Sequence, residues 1–293
     1  MVSSKDTMKF LKKKWVLVTL SVLVILVVTI AFFLPSIGAA MILYPSRKKG
    51  EYPMPAACEE VTLQGAGVVL HAWRCKAVGQ RRGTLLYLHG VSDHAVSGAG
   101  VMERFRNRGF DVIAYDSRAH GKSGGEACTY GFYEKEDLRK VIDQIEAPQP
   151  IVLMGTSLGA AVALQTAAVD DRISAVIAAE CFCDLRTVVT ERAPFVFGKE
   201  TIESSIAIAE QKGAFDIDAV SPVIAAEKIN VPVFLIHGAM DLETSPEHSK
   251  RINDAVAKNK RLLLVPGANH NQSLQGHVWV EIEEWLEELL IRI

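Results

Sequence analysis

The stretch Ile151-Val152-Leu153-Met154-Gly155-Thr156-Ser157-Leu158-Gly159 decides the fold of this chain. Its first four residues are a short apolar run, which predicts a buried strand, and the alanine-rich segment that continues to residue 169 predicts a helix. A G-x-S-x-G motif joins the two. A strand, a sharp turn and a helix in this order place the central serine at the tip of the turn, with the next amide at a helix N-terminus.

The motif by itself is a weak signal in a chain with 21 glycines, and a serine that merely caps an ordinary helix is the alternative. Its position after a strand favours a nucleophile at Ser157. Only glycine leaves room at Gly155 and Gly159 for the close approach of strand, turn and helix. The amide N–H of Leu158 is then placed to stabilise an oxyanion.

Short apolar runs alternate with helical patterns on both sides of the motif. The expected strands are 59–63, 68–73, 84–88, 112–115, 151–154, 173–179, 233–236 and 262–265, and the clearest helices are 101–108, 135–145 and 277–293. This alternation predicts an α/β fold with a doubly wound, mostly parallel sheet. Ligands bind beyond the carboxyl ends of the strands in such sheets. Residues 181–229 interrupt the pattern and predict an inserted lid.

The N-terminal part predicts a membrane span. Residues 15–34 carry no charge, and twenty helical residues extend about 30 Å, which is the thickness of a bilayer core. Pro35 is expected to end the helix. A cleaved signal peptide is the alternative, because Gly38 and Ala40 are small and suitably spaced, although the apolar run is longer than usual for a signal peptide.

The distribution of lysines predicts how the chain is oriented in the membrane, and the segments of the sequence predict its division into domains. Five lysines precede the span and three basic residues follow it at a greater distance, which favours a cytoplasmic N-terminus and an extracytoplasmic catalytic domain. Residues 1–34 are expected to form a basic tail and transmembrane helix, residues 35–56 a linker, and residues 57–293 one folded domain that contains the lid.

Charge and cysteine content restrict the class of partner. The formal net charge is -2, so nothing in it indicates a nucleic-acid partner. No C-x-x-C pair occurs among the five cysteines, and a metal site is not expected. A hairpin with a two-residue loop at Ala66-Gly67 would pair Cys58 with Cys75 across two strands. Either a disulfide, which fits an oxidising compartment, or two reduced thiols is compatible with this register.

Several further stretches make the chain resemble the α/β-hydrolase superfamily over residues 58–293, with some similarity to its membrane-associated esterase and peptidase-like branch. They are Leu88-His89-Gly90, Asp116-Ser117-Arg118-Ala119-His120-Gly121-Lys122-Ser123, the motif at Ser157, His237-Gly238-Ala239-Met240-Asp241 and Pro266-Gly267-Ala268-Asn269-His270. Ala119 departs from the resemblance, since this family commonly has glycine there.

The resemblance implies a catalytic triad of Ser157, Asp241 and His270. His270 would be the general base, and Asp241 would orient its imidazole and stabilise the charged form. His277 is the rival base, and Glu243 is the nearest substitute for the acid.

The resemblance also implies an oxyanion hole formed by the backbone amides of Val91 and Leu158. We expect structural roles for His89, Asp116, Arg118 and His120, whose hydrogen bonds would hold the neighbouring loops.

The leading hypothesis is a membrane-anchored serine hydrolase that cleaves ester or similar acyl bonds of small or lipid-like substrates without a cofactor or metal. An acyltransferase that uses the same triad and a non-catalytic membrane scaffold are the alternatives.

Overall fold

The computed structural model describes residues 4–47, 57–145 and 150–292, and an eight-stranded sheet forms the centre of this part of the chain. The strands are β1 Cys58–Gln64, β2 Val69–Cys75, β3 Gly83–Leu88, β4 Phe110–Tyr115, β5 Ile151–Thr156, β6 Ile173–Ala179, β7 Val233–Gly238 and β8 Lys260–Val265. Their order across the sheet is β1-β2-β4-β3-β5-β6-β7-β8. Only the β1–β2 and β2–β4 pairs of this described sheet are antiparallel, so the predicted mostly parallel sheet is confirmed.

Helices cover both faces of the sheet. The helices of the described residues are α1 Ser4–Leu43, α2 Ala99–Arg106, α3 Glu134–Gln144, α4 Leu158–Ala167, α5 Leu185–Glu191, α6 Lys199–Gly213, α7 Pro222–Ala226, α8 Glu247–Ala255 and α9 Val278–Arg292, of which α1 packs on α6. Helices α2 and α9 pack in one apolar core, and α3 to α8 contribute to the other. Because apolar layers lie on both faces, every residue of β3 and β7 is buried.

The sheet brings six strand ends to one edge. Strands β4, β3, β5, β6, β7 and β8 are neighbours in that order and run parallel, so the chain leaves each of them on the same side of the molecule. The residues that follow these six strands therefore form one cluster of loops, where a doubly wound fold binds its ligands.

A hairpin of β1 and β2 forms the edge of the sheet with the register expected from its short loop. Cys58 lies opposite Cys75, their Cα atoms are 4.1 Å apart, and the two residues form a disulfide. The remaining cysteines, Cys128, Cys181 and Cys183, are buried and free.

Helix α1 is longer than the sequence pattern predicts. From Lys12 to Leu43 it is long and apolar enough to cross a membrane. We expected it to end at Pro35, and that prediction is wrong, because the helix continues to Leu43 with the proline inside it. Ala39, Ile42 and Leu43 are buried against the folded domain, and this packing offsets the hydrogen bond that proline removes.

The expected linker over residues 35–56 is therefore helical in its first part. Residues 44–47 are irregular, and the guanidinium of Arg47 donates to the carbonyl of Ser123 at 2.9 Å, which ties this segment to the domain. The rest of the predicted linker, residues 48–56, lies outside the described residues.

The insertion between β6 and β7 consists of helices α5, α6 and α7. Asp184 caps α5 through the amide of Thr187, and Ser221 caps α7 through the amide of Ile224. Helix α6 packs on α1, where the hydroxyl of Ser205 lies close to the backbone of Gly38. The insertion thus joins the N-terminal helix to the loops at the end of the sheet.

Candidate active site

Ser157 occupies a strained turn between β5 and α4. Its backbone has φ 49° and ψ -111°, a conformation that residues other than glycine rarely adopt. The amide N–H of Ser157 donates to the carbonyl of Ala179 on the adjacent strand at 2.8 Å, which holds the turn. The strain presents the serine at the edge of the sheet instead of continuing the strand.

Two glycines allow this turn because the surrounding backbone is very close. A side-chain carbon at Gly155 would lie 2.2 Å from the carbonyl carbon of Gly159, and one at Gly159 would lie 2.1 Å from the carbonyl oxygen of Leu88. Both distances are far below van der Waals contact, so any larger residue would push strand, turn and helix apart. The G-x-S-x-G spacing is therefore a packing requirement of the turn.

A cavity of about 610 Å³ opens at Ser157. Its wall includes His270 from the loop after β8 and Gly90 and Val91 from the loop after β3. Charged residues from several elements also line it: Asp93, Arg104, Glu180, Arg192 and Glu243. The hydroxyl and the imidazole expected to react thus face the same polar cavity.

His270 is hydrogen-bonded to a buried carboxylate. Its Nδ1–H donates to Oδ2 of Asp241 at 2.7 Å, and Asp241 is 4% exposed. The other oxygen of Asp241 accepts the backbone N–H groups of Glu243 and Thr244, each at 2.9 Å. The carboxylate is therefore fixed on both sides and holds the imidazole in one orientation and one tautomer.

The pKa of Asp241 is strongly lowered although the residue is buried. Burial alone would raise the pKa, but hydrogen bonds from His237, His270 and the amide of Thr244 outweigh it. Nε2 of His237 lies 3.3 Å from Oδ2 of Asp241, and its Nδ1 accepts from the hydroxyl of Ser249 at 2.7 Å. Asp241 is consequently an ionised carboxylate throughout the neutral pH range.

The alternative triad members lie elsewhere. His277 is exposed just before α9 and is not part of the cavity wall. Glu243 lines the cavity, but it is exposed, and its backbone rather than its carboxylate contacts Asp241. Within the described ranges, no group of three or more His, Cys, Asp or Glu residues is arranged to hold a metal ion.

The two expected oxyanion donors approach Ser157 from different elements. Leu158 is the first residue of α4, and its amide therefore belongs to a helix N-terminus. Val91 follows Gly90 in the loop after β3. A Cβ atom added to Gly90 would lie 3.7 Å from Cβ of Ser157, so this part of the loop is close to the serine. The loop after β3 therefore runs directly beside Ser157.

Buried polar residues behind the cavity hold these loops in place. His89 donates from Nδ1 to the carbonyl of Gly90 at 2.7 Å and accepts the N–H of Ser117 at its Nε2 at 2.9 Å. Burial lowers the pKa of His89, which favours the neutral imidazole that this pattern requires. Asp116 accepts the N–H groups of Ala95 and Lys122 at 2.8 and 2.9 Å.

The block after β4 is held in the same way. Both oxygens of Asp137 accept from the guanidinium of Arg118, at 2.6 and 2.7 Å, and Nδ1 of His120 donates to the carbonyl of Arg118 at 2.8 Å. Ala119 adopts φ 61°, a left-handed conformation that glycine adopts more readily than other residues. These contacts fit the structural roles expected for the block.

Glu180 is a site residue that the sequence reasoning missed. It follows β6, is 1% exposed and has φ 56°. Its carboxylate accepts the backbone N–H groups of Asn271 and Ser273 at 2.6 and 3.0 Å, and Oε2 lies 3.9 Å from Nδ1 of His270. The sequence did contain a signal for this residue, because Glu180 directly follows an apolar strand, as the other candidate site residues do.

Comparison with protein families gives one family model that matches residues 79–204. It is the Hydrolase_4 family, described as serine aminopeptidase, S33. The matched region includes the loop of Val91 and the turn of Ser157, and ends before the loops of Asp241 and His270.

The sequence relatives include two bacterial proteins. The uncharacterized protein YqkD of Bacillus subtilis is 28% identical over 200 residues, which is 65% of each chain and so just under two thirds of that relative's length. The uncharacterized protein YfhR of Escherichia coli is 26% identical over 252 residues, or 82% of each chain.

Solved structures with a similar fold include two archaeal proteins. The esterase Pf2001 of Pyrococcus furiosus has a TM-score of 0.65 and 23% identity, with 85% of this chain and 98% of that chain covered. An acylaminoacyl peptidase of Pyrococcus horikoshii has a TM-score of 0.61 and 15% identity, with 80% of this chain and 41% of that chain covered. These likenesses establish the shared fold.

Proposed function

We propose that this chain, an α/β-hydrolase of the serine hydrolase type, cleaves carboxylic esters through an acyl-enzyme on Ser157. The observation that carries the proposal is that His270 lines the same cavity as Ser157 and donates a hydrogen bond to the ionised, buried Asp241. A neutral imidazole oriented in this way is a general base for a hydroxyl. The reaction is ester plus water to carboxylic acid plus alcohol.

In the acylation half, Oγ of Ser157 attacks the carbonyl carbon of the ester, and its proton passes to Nε2 of His270. The negative charge on the former carbonyl oxygen is stabilised by the amides of Val91 and Leu158. The carbon–oxygen bond to the alcohol then breaks, and the proton on His270 goes to the leaving oxygen. Asp241 stabilises the imidazolium that exists between these two transfers.

In the deacylation half, water takes the place of the alcohol. His270 accepts a proton from the water as it attacks the acyl carbon, and the same two amides stabilise the second oxyanion. The bond between the acyl carbon and Ser157 breaks, and His270 returns the proton to Oγ. The carboxylic acid leaves, and the site regains its initial protonation state.

The proposal includes a membrane anchor, which is the N-terminal helix α1. A cleavage after Ala40 would remove Gly38 and Ala39, and Ala39 is completely buried in the folded domain. An uncleaved α1 keeps this packing and leaves the apolar residues from Trp15 onward for a bilayer. The excess of lysines before the span favours an extracytoplasmic catalytic domain, where the Cys58–Cys75 disulfide is stable.

Hydrolysis of p-nitrophenyl butyrate by the full chain in phospholipid nanodiscs tests the proposal. Ser157→Ala should remove the catalysed rate, while Ser204→Ala, at an exposed position of α6, should leave it unchanged. An unchanged rate in Ser157→Ala would refute the proposal. An aminoacyl p-nitroanilide is assayed in parallel, since the matched family model is described as a serine aminopeptidase.

A further inference from the structure

A second cavity, of about 350 Å³, lies between the end of α1 and helices α5 and α6. Its wall is largely apolar and includes Met41, Ile42, Leu185, Val188, Phe197 and Ile202. Its volume lies within the range of about 300–1,000 Å³ that ligand pockets commonly have. The catalytic reaction described above makes no use of this cavity.

The second cavity adjoins the catalytic cavity. Val91, Ser92 and Arg192 line both. Val91 is also the proposed oxyanion donor from the loop after β3. A substrate whose carbonyl is held between Ser157 and Val91 therefore has the apolar cavity next to its acyl group.

The two cavities differ in charge. Among the described residues that line the apolar cavity, Arg192 alone is charged. Its Nε donates to the carbonyl of Glu243 at 2.7 Å and its guanidinium also contacts the hydroxyl of Thr244, so its polar end is engaged at the loop after β7. The catalytic cavity, in contrast, is lined by charges of both signs. One compartment suits a hydrocarbon chain and the other a polar group.

We propose that the apolar cavity holds the acyl chain of an amphiphilic ester while the polar cavity holds its alcohol part. This inference rests on the proposed function, because it takes the acyl group as attached to Ser157. The chain would be of medium length or longer, since a short acyl group would leave most of the apolar wall in contact with water.

The surroundings of the cavity point to a bilayer as the source of the ester. Met41 belongs both to the cavity wall and to α1, and it is 58% exposed. The loop between α5 and α6 contributes Pro194 and Phe197 to the wall and exposes Phe195, which is 99% accessible, and Val196 between them. Exposed apolar groups beside the proposed anchor helix are suited to contact the lipid surface.

A matched pair of substitutions tests the acyl site in the full chain in nanodiscs. Ala193→Trp fills the cavity from its half-buried wall, whereas Ala207→Trp places the same side chain on the exposed face of α6. A fully buried methylene gives about a fourfold gain in kcat/KM. We expect kcat/KM for p-nitrophenyl decanoate to exceed that for the acetate by at least about tenfold, and Ala193→Trp to lower this decanoate-to-acetate ratio toward one.

Ala207→Trp should preserve the preference for the longer acyl chain. Because this variant leaves the cavity open, it controls for a preference that arises only from partition of the decanoate into lipid. Equal kcat/KM for acetate and decanoate in a Ser157-dependent reaction would overturn the inference, and so would an equal loss of both rates in Ala193→Trp. Binding of a fluorescent fatty acid to Ser157→Ala provides a readout without hydrolysis. We expect decanoate to displace the probe and Ala193→Trp to weaken its binding, and absence of binding would refute the acyl site even if the proposed reaction also failed.

Phe195→Asp distinguishes the two sources of the ester. With decanoyl ester embedded in vesicles, the rate should fall several-fold, because the loop no longer enters the lipid surface. The rate with water-soluble p-nitrophenyl acetate should stay the same. An unchanged vesicle rate would assign the site to esters taken from solution.

Discussion

Nδ1 of His270 lies 2.7 Å from Oδ2 of Asp241, although the two residues are 29 positions apart along the chain. Both belong to loops that follow neighbouring parallel strands, β7 and β8. The parallel pairing of β7 with β8 therefore brings the two loops together, and the backbone amides of Glu243 and Thr244 hold the carboxylate of Asp241 in place. From this geometry we expect activity to depend far more on Asp241 than on any other carboxylate at the cavity.

Asp241→Asn should reduce kcat for p-nitrophenyl butyrate by about 10³–10⁴-fold, because the asparagine favours the wrong imidazole tautomer. Far-UV circular dichroism should be unchanged. Glu243→Gln is the matched control, since its exposed carboxylate lines the same cavity without contacting His270, and it should stay within about twofold. Comparable losses in both variants would contradict the assignment of the acid.

Glu180→Gln should lower kcat by about 10–100-fold with little change in KM. Glutamine keeps one acceptor for the amides of Asn271 and Ser273 but turns an NH₂ group toward the other, which shifts the loop that carries His270. Steady-state kinetics separate the two parameters. Glu284→Gln, on the exposed side of α9, is the control. A pure rise in KM would indicate that Glu180 binds substrate instead.

The stability of the fold should decrease as the pH falls from about 6.5 toward 4. Burial, assisted by the neighbouring His89, lowers the pKa of His120 to about 4. The unfolded chain therefore binds a proton near pH 6.5 that the folded chain accepts only near pH 4. Over this window the single histidine should account for a loss of up to about 3 kcal/mol.

His120→Gln should flatten this pH dependence, as measured by chemical unfolding at pH 7.5 and 4.5. His277→Gln, at an exposed position, should leave the slope as it is in the unmodified chain. The same slope in both variants would show that His120 does not contribute.

The disulfide between Cys58 and Cys75 should stabilise the domain without affecting the reaction. The two cysteines are 17 positions apart, and closing a loop of this size contributes about 3 kcal/mol. Replacing both with serine should lower Tm by roughly 6–12 °C and leave kcat unchanged, because the hairpin lies at the opposite end of the sheet from β7 and β8. Detection of two free thiols by mass spectrometry of the unreduced protein would contradict the expectation.

The sheet and the serine turn could be predicted because their signals are local. Each central strand is a short apolar run, and Gly155 and Gly159 are needed by the backbone that directly surrounds Ser157. The pairing of Cys58 with Cys75 was also accessible, because a two-residue loop fixes the register of a hairpin.

Other features could not be predicted, because they depend on contacts between residues that are far apart in the sequence. Pro35 is a normal helix end by local rules, and only the packing of Ala39 and Leu43 continues the helix beyond it. Glu180 contacts the loop at Asn271, 91 positions away. Helix α8 is not among the helices expected from the sequence. Its buried residues are His248, Ser249 and Ile252, and because only Ile252 is a large apolar residue, the sequence shows almost no apolar stripe.

Covalent labelling of Ser157 tests the central claim most directly. The full chain in nanodiscs is treated with an alkyl fluorophosphonate, and the modified peptide is identified by mass spectrometry. We predict a single adduct on Ser157, which forms at least about 100-fold more slowly in His270→Ala. An adduct on another residue, or equal labelling of Ser157→Ala, would contradict the account.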